Sequence, residues 1–591
     1  MLGWLPGLRA IRSYRRGWLA KDVIAGIVLS TLLVPQGMAY AELAGLPPIT
    51  GLYTSILCLL GYAVFGPSRL LVLGPDSSLG PMIAATILPL AGAGGDPKRA
   101  VALASMLAII VAAIMIAGAG AKLGFVANLI SKPTMIGYMN GLALTILVGQ
   151  LPKLFGFKVE AEGLIRETAD FVKGLANGEA VAAAAAVGIC GIALILTLQR
   201  WLPKLPAVLI MIVAAIAAAI IFELGKHDVS LVGVLPKGFP PLTIPDVRLA
   251  DLGPLFAGAL GIAVVSLADT ISTSSAFAAR TGQDVQGNAE MIGIGAANLA
   301  AGLFQGFPVS TSGSRTAVAE RSGAKTQLAG VTGAAVIIVM LVLVPGLFRN
   351  LPQPALAAVV ITASLSLADI SGTMRLWRQR KEEFLLSVTA FAGVALLGVL
   401  PGIAVAVALS ILSVFRRAWW PYATELGRVP GVAGYHDVRI HPEGQRLAGL
   451  VIYRFDAPLF FANATTFRDE VRRLAQADPP PAWIVIAAEP MTDVDTTASD
   501  VLEGLDETLN AQGTSLVFAE LKDPVRRKIE RYGLTTTINP RHFFPTIESA
   551  VAAFRRETDA EWAIASPSPD GLENHPSRGD AIPPLPGKPG G

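Results

Sequence analysis

The run Pro308-Val309-Ser310-Thr311-Ser312-Gly313-Ser314-Arg315-Thr316 closes an uncharged tract that begins at Met291. Ser310, Ser312 and Ser314 alternate as an extended segment would present them, and a helix can start directly afterwards. The first turn of a helix leaves backbone N–H groups without intrahelical acceptors and carries the positive end of the dipole. A guanidinium there adds a full charge and a planar fork of donors, so Ser314 and Arg315 together would hold a small anion. The bland alternative is that Arg315 is an ordinary interfacial loop charge.

Three further polar clusters stand where apolar runs should exclude them, and such residues are costly unless they pair or face a cavity. Gly74-Pro75-Asp76-Ser77-Ser78-Leu79-Gly80-Pro81 has the residue types of a helix start, so Asp76, Ser77 and Ser78 would shape a site at depth. Asp269 ends the uncharged run Leu252 to Ala268, five hydroxyl residues lie within the next six positions, and Thr273 shares its helical face. For both carboxylates the competing reading is helix capping near the membrane surface. Pro35 and Gly37 weaken a helix around Gln36 and Tyr40, with Glu42 at its end; the alternative there is a proline kink with Gln36 bonded to a neighbouring helix. Cotransport of a dianion with a cation needs a group that is negative alone and neutralised by proton or sodium when the anion is aboard. Asp269 is the best placed candidate, because Glu42 is nearer a window edge and the helix-start position of Asp76 suits a site-shaping role.

These clusters need helices that cross a membrane. The chain has 591 residues, 53% hydrophobic and only 15% charged, which is far from soluble composition. Windows free of charge and long enough to span, at roughly 20 residues each, recur from Val23 to Phe415, and allowing for half-spans they number about 12 to 14. The last, Phe384 to Phe415, holds two spans broken near Leu400-Pro401-Gly402. Arg9, Arg12, Arg15, Arg16 and Lys21 precede the first, and Arg416 and Arg417 follow the last, so both ends are expected in the cytoplasm. Discontinuous helices meeting at the midplane from two inverted repeats describe a secondary-transporter site.

The expected organisation is a cytoplasmic N-terminus over 1–20, a transmembrane domain over 21–420, a soluble domain over 430–556 and a disordered, Pro-rich tail over 557–591. In the soluble part, β-rich runs Leu450 to Phe455, Trp483 to Ala487 and Ser515 to Phe518 alternate with amphipathic stretches, the pattern of a small α/β unit. A net charge of +3 gives no reason for a nucleic-acid partner. Cys58 and Cys190 lack metal-ligand spacing, and all five histidines lie outside the apolar runs. There is no nucleophile elbow, no metal cluster and no phosphate-binding glycine loop, so neither an enzyme nor a cofactor is expected.

The chain resembles the SulP sulfate-permease family, prestin and the related animal anion exchangers included, over nearly all of residues 8 to 555. The resemblance rests on Asp22-Val23-Ile24-Ala25-Gly26, Val34-Pro35-Gln36-Gly37-Met38-Ala39-Tyr40-Ala41, Leu43-Ala44-Gly45-Leu46-Pro47-Pro48, Gly51-Leu52-Tyr53 and Gly66-Pro67-Ser68-Arg69. Gly287-Asn288-Ala289-Glu290, Gly313-Ser314-Arg315-Thr316 and Gly323-Ala324-Lys325-Thr326-Gln327 continue it. It implies fourteen segments in two inverted sevens, a core that carries the anion against a gate, a cytoplasmic STAS domain and a homodimer. It places Gln36 and Tyr40 on the first span, Ser314 and Arg315 at the start of the tenth facing Asp76 and Ser77 at the third, and Asp269 with Thr273 on the eighth as the coupling-ion position. Many relatives are apolar or aromatic where this chain has Asp76, which puts a second negative charge beside the anion. In Val494-Asp495-Thr496-Thr497-Ala498, Thr497 aligns with a hydroxyl that is phosphorylated in related bacterial proteins, while simple capping by Asp495 and Thr496 is the plainer reading. The expected activity is secondary transport of a small inorganic oxyanion, sulfate foremost, by proton or sodium symport or by exchange. Bicarbonate or a dicarboxylate is the alternative within transport, and an anion-binding signalling or motor membrane protein the alternative outside it.

Overall fold

The computed structural model describes residues 14–92, 96–125, 131–159, 163–203, 205–281 and 285–564. Arg9 and Arg12 and the tail from 565 onward lie outside the described residues. The chain divides into two compact units, 1–411 and 412–591.

The first unit is helical. Its elements are α1 (Leu19–Leu43), α2 (Pro48–Phe65), β1 (Leu73–Gly74), α3 (Gly80–Ala91), α4 (Pro97–Gly120), α5 (Lys132–Phe155), α6 (Leu164–Ala176), α7 (Ala182–Trp201) and α8 (Ala207–Ile221). A second series follows: α9 (Leu252–Thr281), α10 (Gly287–Leu303), β2 (Ser310–Thr311), α11 (Gly313–Arg321), α12 (Leu328–Leu343), α13 (Gln353–Leu367), α14 (Ile370–Gln379), α15 (Lys381–Leu397) and α16 (Val399–Trp419). Proline in the first turn, where no N–H is required, opens α2, α3, α4, α5 and α13. Among the described residues eight helices are long and apolar enough to cross a bilayer, and α3, α8 and α12 are shorter apolar ones. One of the eight, Gln353–Gln379, takes in both α13 and α14; with α10, α11 and α15 the membrane segments come to fourteen, leaving α6 as an amphipathic connector.

The two series mirror each other in packing. The fourth helix of each half lies against the first of the other, α4 on α9 and α12 on α1. The third segment of each half, α3 and α11, is preceded by a two-residue strand, and β1 and β2 pair antiparallel with Leu73 opposite Thr311 and Gly74 opposite Ser310. The break in the last window falls at Gly398 (φ +93°), not at Pro401, because glycine takes the left-handed conformation that ends α15 while Pro401 sits harmlessly in the first turn of α16. Helix α9 runs through Asp269 and Thr273 to Thr281, so Asp269 is a mid-helix residue and not a cap.

The second unit is an α/β sheet domain. Strands β3 (Ala423–Arg428), β4 (Tyr435–Asp437), β5 (Gln445–Leu447), β6 (Leu450–Phe455), β7 (Trp483–Ala487), β8 (Ser515–Ala519), β9 (Phe543–Phe544) and β10 (Trp562–Ile564) form one sheet, in the order β10-β5-β3-β6-β7-β8-β9 with β4 on β3. Alternation sorts the core: Ile484 and Ile486 face α17 (Ala464–Ala475), α18 (Thr496–Ala511) and α19 (Asp523–Arg531), while Val485 and Ala487 face α20 (Ile547–Thr558). Residues 557–564, expected in the tail, carry structure: β10 pairs with β5, and the Trp562 ring packs beside Tyr435 and under Arg428. An aromatic burial of this size is what a Pro-rich composition downstream conceals.

Candidate functional site

Close backbone contact sets the first wall. A Cβ on Gly51 of α2 would come within 1.8 Å of the Gly37 carbonyl oxygen, so only glycine lets α1 and α2 touch there. That contact fixes the face of α1 carrying Tyr40, whose buried hydroxyl meets that of Ser77 and lies in the field of Asp76 and Arg315. Gln36 is half-buried on the same helix and stands outside this hydrogen-bonded set.

The opposite wall comes from the paired strands. The guanidinium of Arg315, only 1% exposed, lies over β1, and a Cβ on Gly74 would be 2.8 Å from its Nη1. Ser312 caps α11, accepting from the Arg315 amide, and its hydroxyl is 3.1 Å from that of the exposed Ser314. None of the three Arg315 side-chain nitrogens has a hydrogen-bond partner. The nearest charge is Asp76, whose Oδ2 is 3.6 Å from Nη2, an ionic approach longer than a hydrogen bond. A buried guanidinium with unfilled donors is costly unless something supplies acceptors.

Asp76 is held back by the turn that leads into α3. The Ser78 amide and hydroxyl both donate to its Oδ1, at 2.9 and 2.7 Å. The same Ser78 oxygen is 3.2 Å from Oδ2 of Asp269 on α9. Helix α9 is tied to the β2 crossing by Thr270, 2.8 Å from the Thr311 hydroxyl, and by Ser266, which donates to the Val309 carbonyl at 3.0 Å. Thr273, one turn beyond Asp269, borders Gly313 at the start of α11. The structure therefore brings together Tyr40, Asp76, Ser77, Ser78, Asp269 and Arg315, with Thr273 and Ser314 at the edge.

One participant was not singled out in the sequence. The buried Tyr138 hydroxyl of α5 contacts Met82 Sδ at 3.5 Å within the field of Asp76 and Asp269, and its only signal was a tyrosine deep in a span rather than at an interface. Ser310 of β2 has a fully buried hydroxyl without a partner. Among the described residues no group of three or more His, Cys, Asp or Glu could hold a metal ion. In the soluble unit Thr497 is exposed in the first turn of α18, and Asp495 caps that helix through Ala498 while also accepting from the Phe461 amide.

Half-helices that start from a crossed pair of strands at mid-depth, with a buried cation at one start, define a multi-span membrane transporter carrying an appended α/β domain. A profile of the sulfate permease family matches residues 19–390, and one of the STAS domain matches residues 441–550. A probable sulfate transporter of Mycobacterium tuberculosis is 40% identical over 555 residues, covering 94% of this chain and 98% of that protein. Human solute carrier family 26 member 6 is 32% identical over 503 residues, covering 81% of this chain and 65% of the human protein. The structure of murine Slc26a9, an anion transporter in the inward-facing state, superposes with a TM-score of 0.86 at 24% identity, covering 94% of both chains. The chain belongs to the sulfate permease family.

Proposed function

We propose that the protein is a secondary active transporter of a small inorganic oxyanion, sulfate foremost, driven by proton symport. The observation that carries this reading is Arg315, buried and without a hydrogen-bond partner between two half-helix starts. Its fork of donors, the first amides of α11 and the Ser77 and Tyr40 hydroxyls suit the several acceptor oxygens of an oxyanion. Asp269 is the coupling carboxylate, with Thr273 beside it; Gln36, Ser78 and Ser314 complete the lining. Movement of the body formed by α1–α4 and α9–α12 against the remaining spans would change access. The basic residues before α1 and after α16 support cytoplasmic termini in a cell membrane protein, and the family resemblance favours a homodimer. Thr497, exposed at a helix start, is a regulatory phosphorylation position in this reading.

The test is uptake into liposomes holding the purified full chain, screened across sulfate, bicarbonate, nitrate, oxalate and succinate under imposed proton or sodium gradients. Concentrative sulfate uptake driven by protons supports the proposal. Preference for bicarbonate or succinate would replace the substrate, sodium dependence would replace the coupling ion, and binding without uptake would turn the reading toward a sensor.

A further inference from the structure

Asp76 is the odd member of the site, a second carboxylate placed where an anion must bind. A serine hydroxyl has one proton to donate. In the structure that proton goes to Asp76 Oδ1, the shorter contact at 2.7 Å and the one reinforced by the Ser78 amide. The same hydroxyl is also within donating distance of Asp269 Oδ2, at 3.2 Å, and one proton cannot serve both carboxylates. Ser78 therefore joins Asp269 to Asp76, whose other oxygen faces Arg315, and a proton added to Asp269 would be donated to the Ser78 oxygen, leaving the Ser78 proton for Asp76. If Asp269 is ionised, its oxygen competes with Asp76 for the single Ser78 proton.

We propose that Asp76, Ser78 and Asp269 act as one proton-holding unit, so that a dianion takes Arg315 only when this unit carries a proton. The idea rests on the Arg315 reading and adds roles for Asp76 and Ser78. Charge counting agrees. Arg315 contributes one positive charge and the helix starts about half a charge each, so a dianion beside two ionised carboxylates leaves the site strongly negative, and one added proton removes part of that excess. The titratable and charged groups facing the pair are Arg315 from α11, Tyr40 from α1 and Tyr138 from α5. Asp76 is therefore a positioning and charge-setting residue: it neutralises the guanidinium at 3.6 Å without filling its donors.

The test measures binding of radiolabelled sulfate by the full chain in sodium-free nanodiscs from pH 5.5 to 8. Wild type should lose affinity with rising pH, by up to about tenfold per unit for one proton. Asp76→Asn should flatten the profile and raise affinity at pH 8 at least tenfold. Ser78→Ala should move the midpoint of the profile by at least half a pH unit, whatever its effect on acid-side affinity, which a purely structural role would not do. An Asp76→Asn profile parallel to wild type, or a Ser78→Ala midpoint left in place, overturns the proposal. A flat wild-type profile with binding still abolished by Arg315→Ala overturns it while leaving the anion site intact. Sulfate binding that survives Arg315→Ala defeats the underlying reading instead.

Discussion

Replacing Arg315 by alanine is the most direct perturbation of the anion site. At contact distance of about 4 Å and an effective dielectric near 20, each unit charge on the anion gains roughly 4 kcal/mol from the guanidinium before desolvation is counted. Truncating one partner of a buried, hydrogen-bonded charge pair costs about 2–5 kcal/mol in measured systems. Here Arg315 is 1% exposed, and its removal also leaves Asp76 uncompensated beside the incoming anion. The expected loss is therefore about 4 kcal/mol, or roughly a thousandfold in Kd. Lysine should recover only part of it, because a point charge lacks the fork that meets two oxygens at once. The assay is equilibrium sulfate binding to the purified protein, with thermal unfolding as a check on the fold. Adding Asp76→Asn to Arg315→Ala should restore stability, since the orphaned carboxylate is then neutral, without restoring affinity. Sulfate affinity within threefold of wild type in a folded Arg315→Ala protein would refute the assignment, whatever the transport rate.

Asp269→Asn should permit exchange of labelled for unlabelled anion but abolish accumulation against a gradient; accumulation at the wild-type proton dependence would make the carboxylate structural. Asp22 is fully buried and accepts from the Lys325 and Thr326 amides, the Thr326 hydroxyl and the Tyr14 hydroxyl. Asp22→Ala orphans the buried Thr326 amide and hydroxyl along with the Lys325 amide and should destabilise the first unit by about 2–3 kcal/mol in thermal unfolding. In the second unit, burial pushes Asp506 up to about 6, an effect opposed by the Asn510 amide and increased by nearby Glu507. Its proton is held more tightly folded than unfolded, so its contribution favours the fold below about pH 4 and is lost as pH rises through about 6. Protection of the α18 amides against hydrogen exchange should therefore fall by up to about 3 kcal/mol between pH 4 and pH 7.5. Asp506→Asn should remove that dependence and raise protection at pH 7.5; an unchanged slope would refute the assignment.

Much of the membrane part is legible because lipid imposes a simple grammar of charge-free windows, proline starts and basic ends. The clusters around Asp76, Asp269 and Arg315 stand out in a sequence for the same reason, as residues that a bilayer otherwise excludes. What the letters do not carry is partnership. Ser78 reads as one hydroxyl among several near a helix start, and nothing local says that its oxygen also meets a residue 191 positions away. Tyr138 looks like span filling until the fold buries its hydroxyl in the field of both carboxylates. The extent of α9 is hidden as well, because a tract of serine and threonine after Asp269 has weak helix propensity and only packing against α4 and β2 keeps it helical. At the C-terminal side, a composition average over a Pro-rich segment masks β10, which one tryptophan anchors.

The crossing between α10 and α11 explains how such a site can be both irregular and rigid. Unwound backbone at membrane depth must find partners inside the protein, and here helices from both halves supply them. The Thr54 hydroxyl of α2 accepts from the Phe307 amide, and Ser105 of α4 donates to the Gly306 carbonyl. Asn298 of α10 accepts from the Val309 amide, and Ser266 of α9 donates to the Val309 carbonyl. Across the strands, Thr316 accepts from the Val72 amide and the Ser312 amide donates back to the Val72 carbonyl. Each of these bonds would have to break for the crossing to refold, and in a low-dielectric interior each orphaned group is expensive. Opening the anion site alternately to either side by remaking it would break several such bonds per cycle. Carrying it intact breaks none of them, so in the proposed cycle the body holding α1–α4 and α9–α12 moves as one piece. The protonation of Asp269 then acts on a fixed geometry, deciding whether a dianion can sit against Arg315 rather than reshaping the place where it sits.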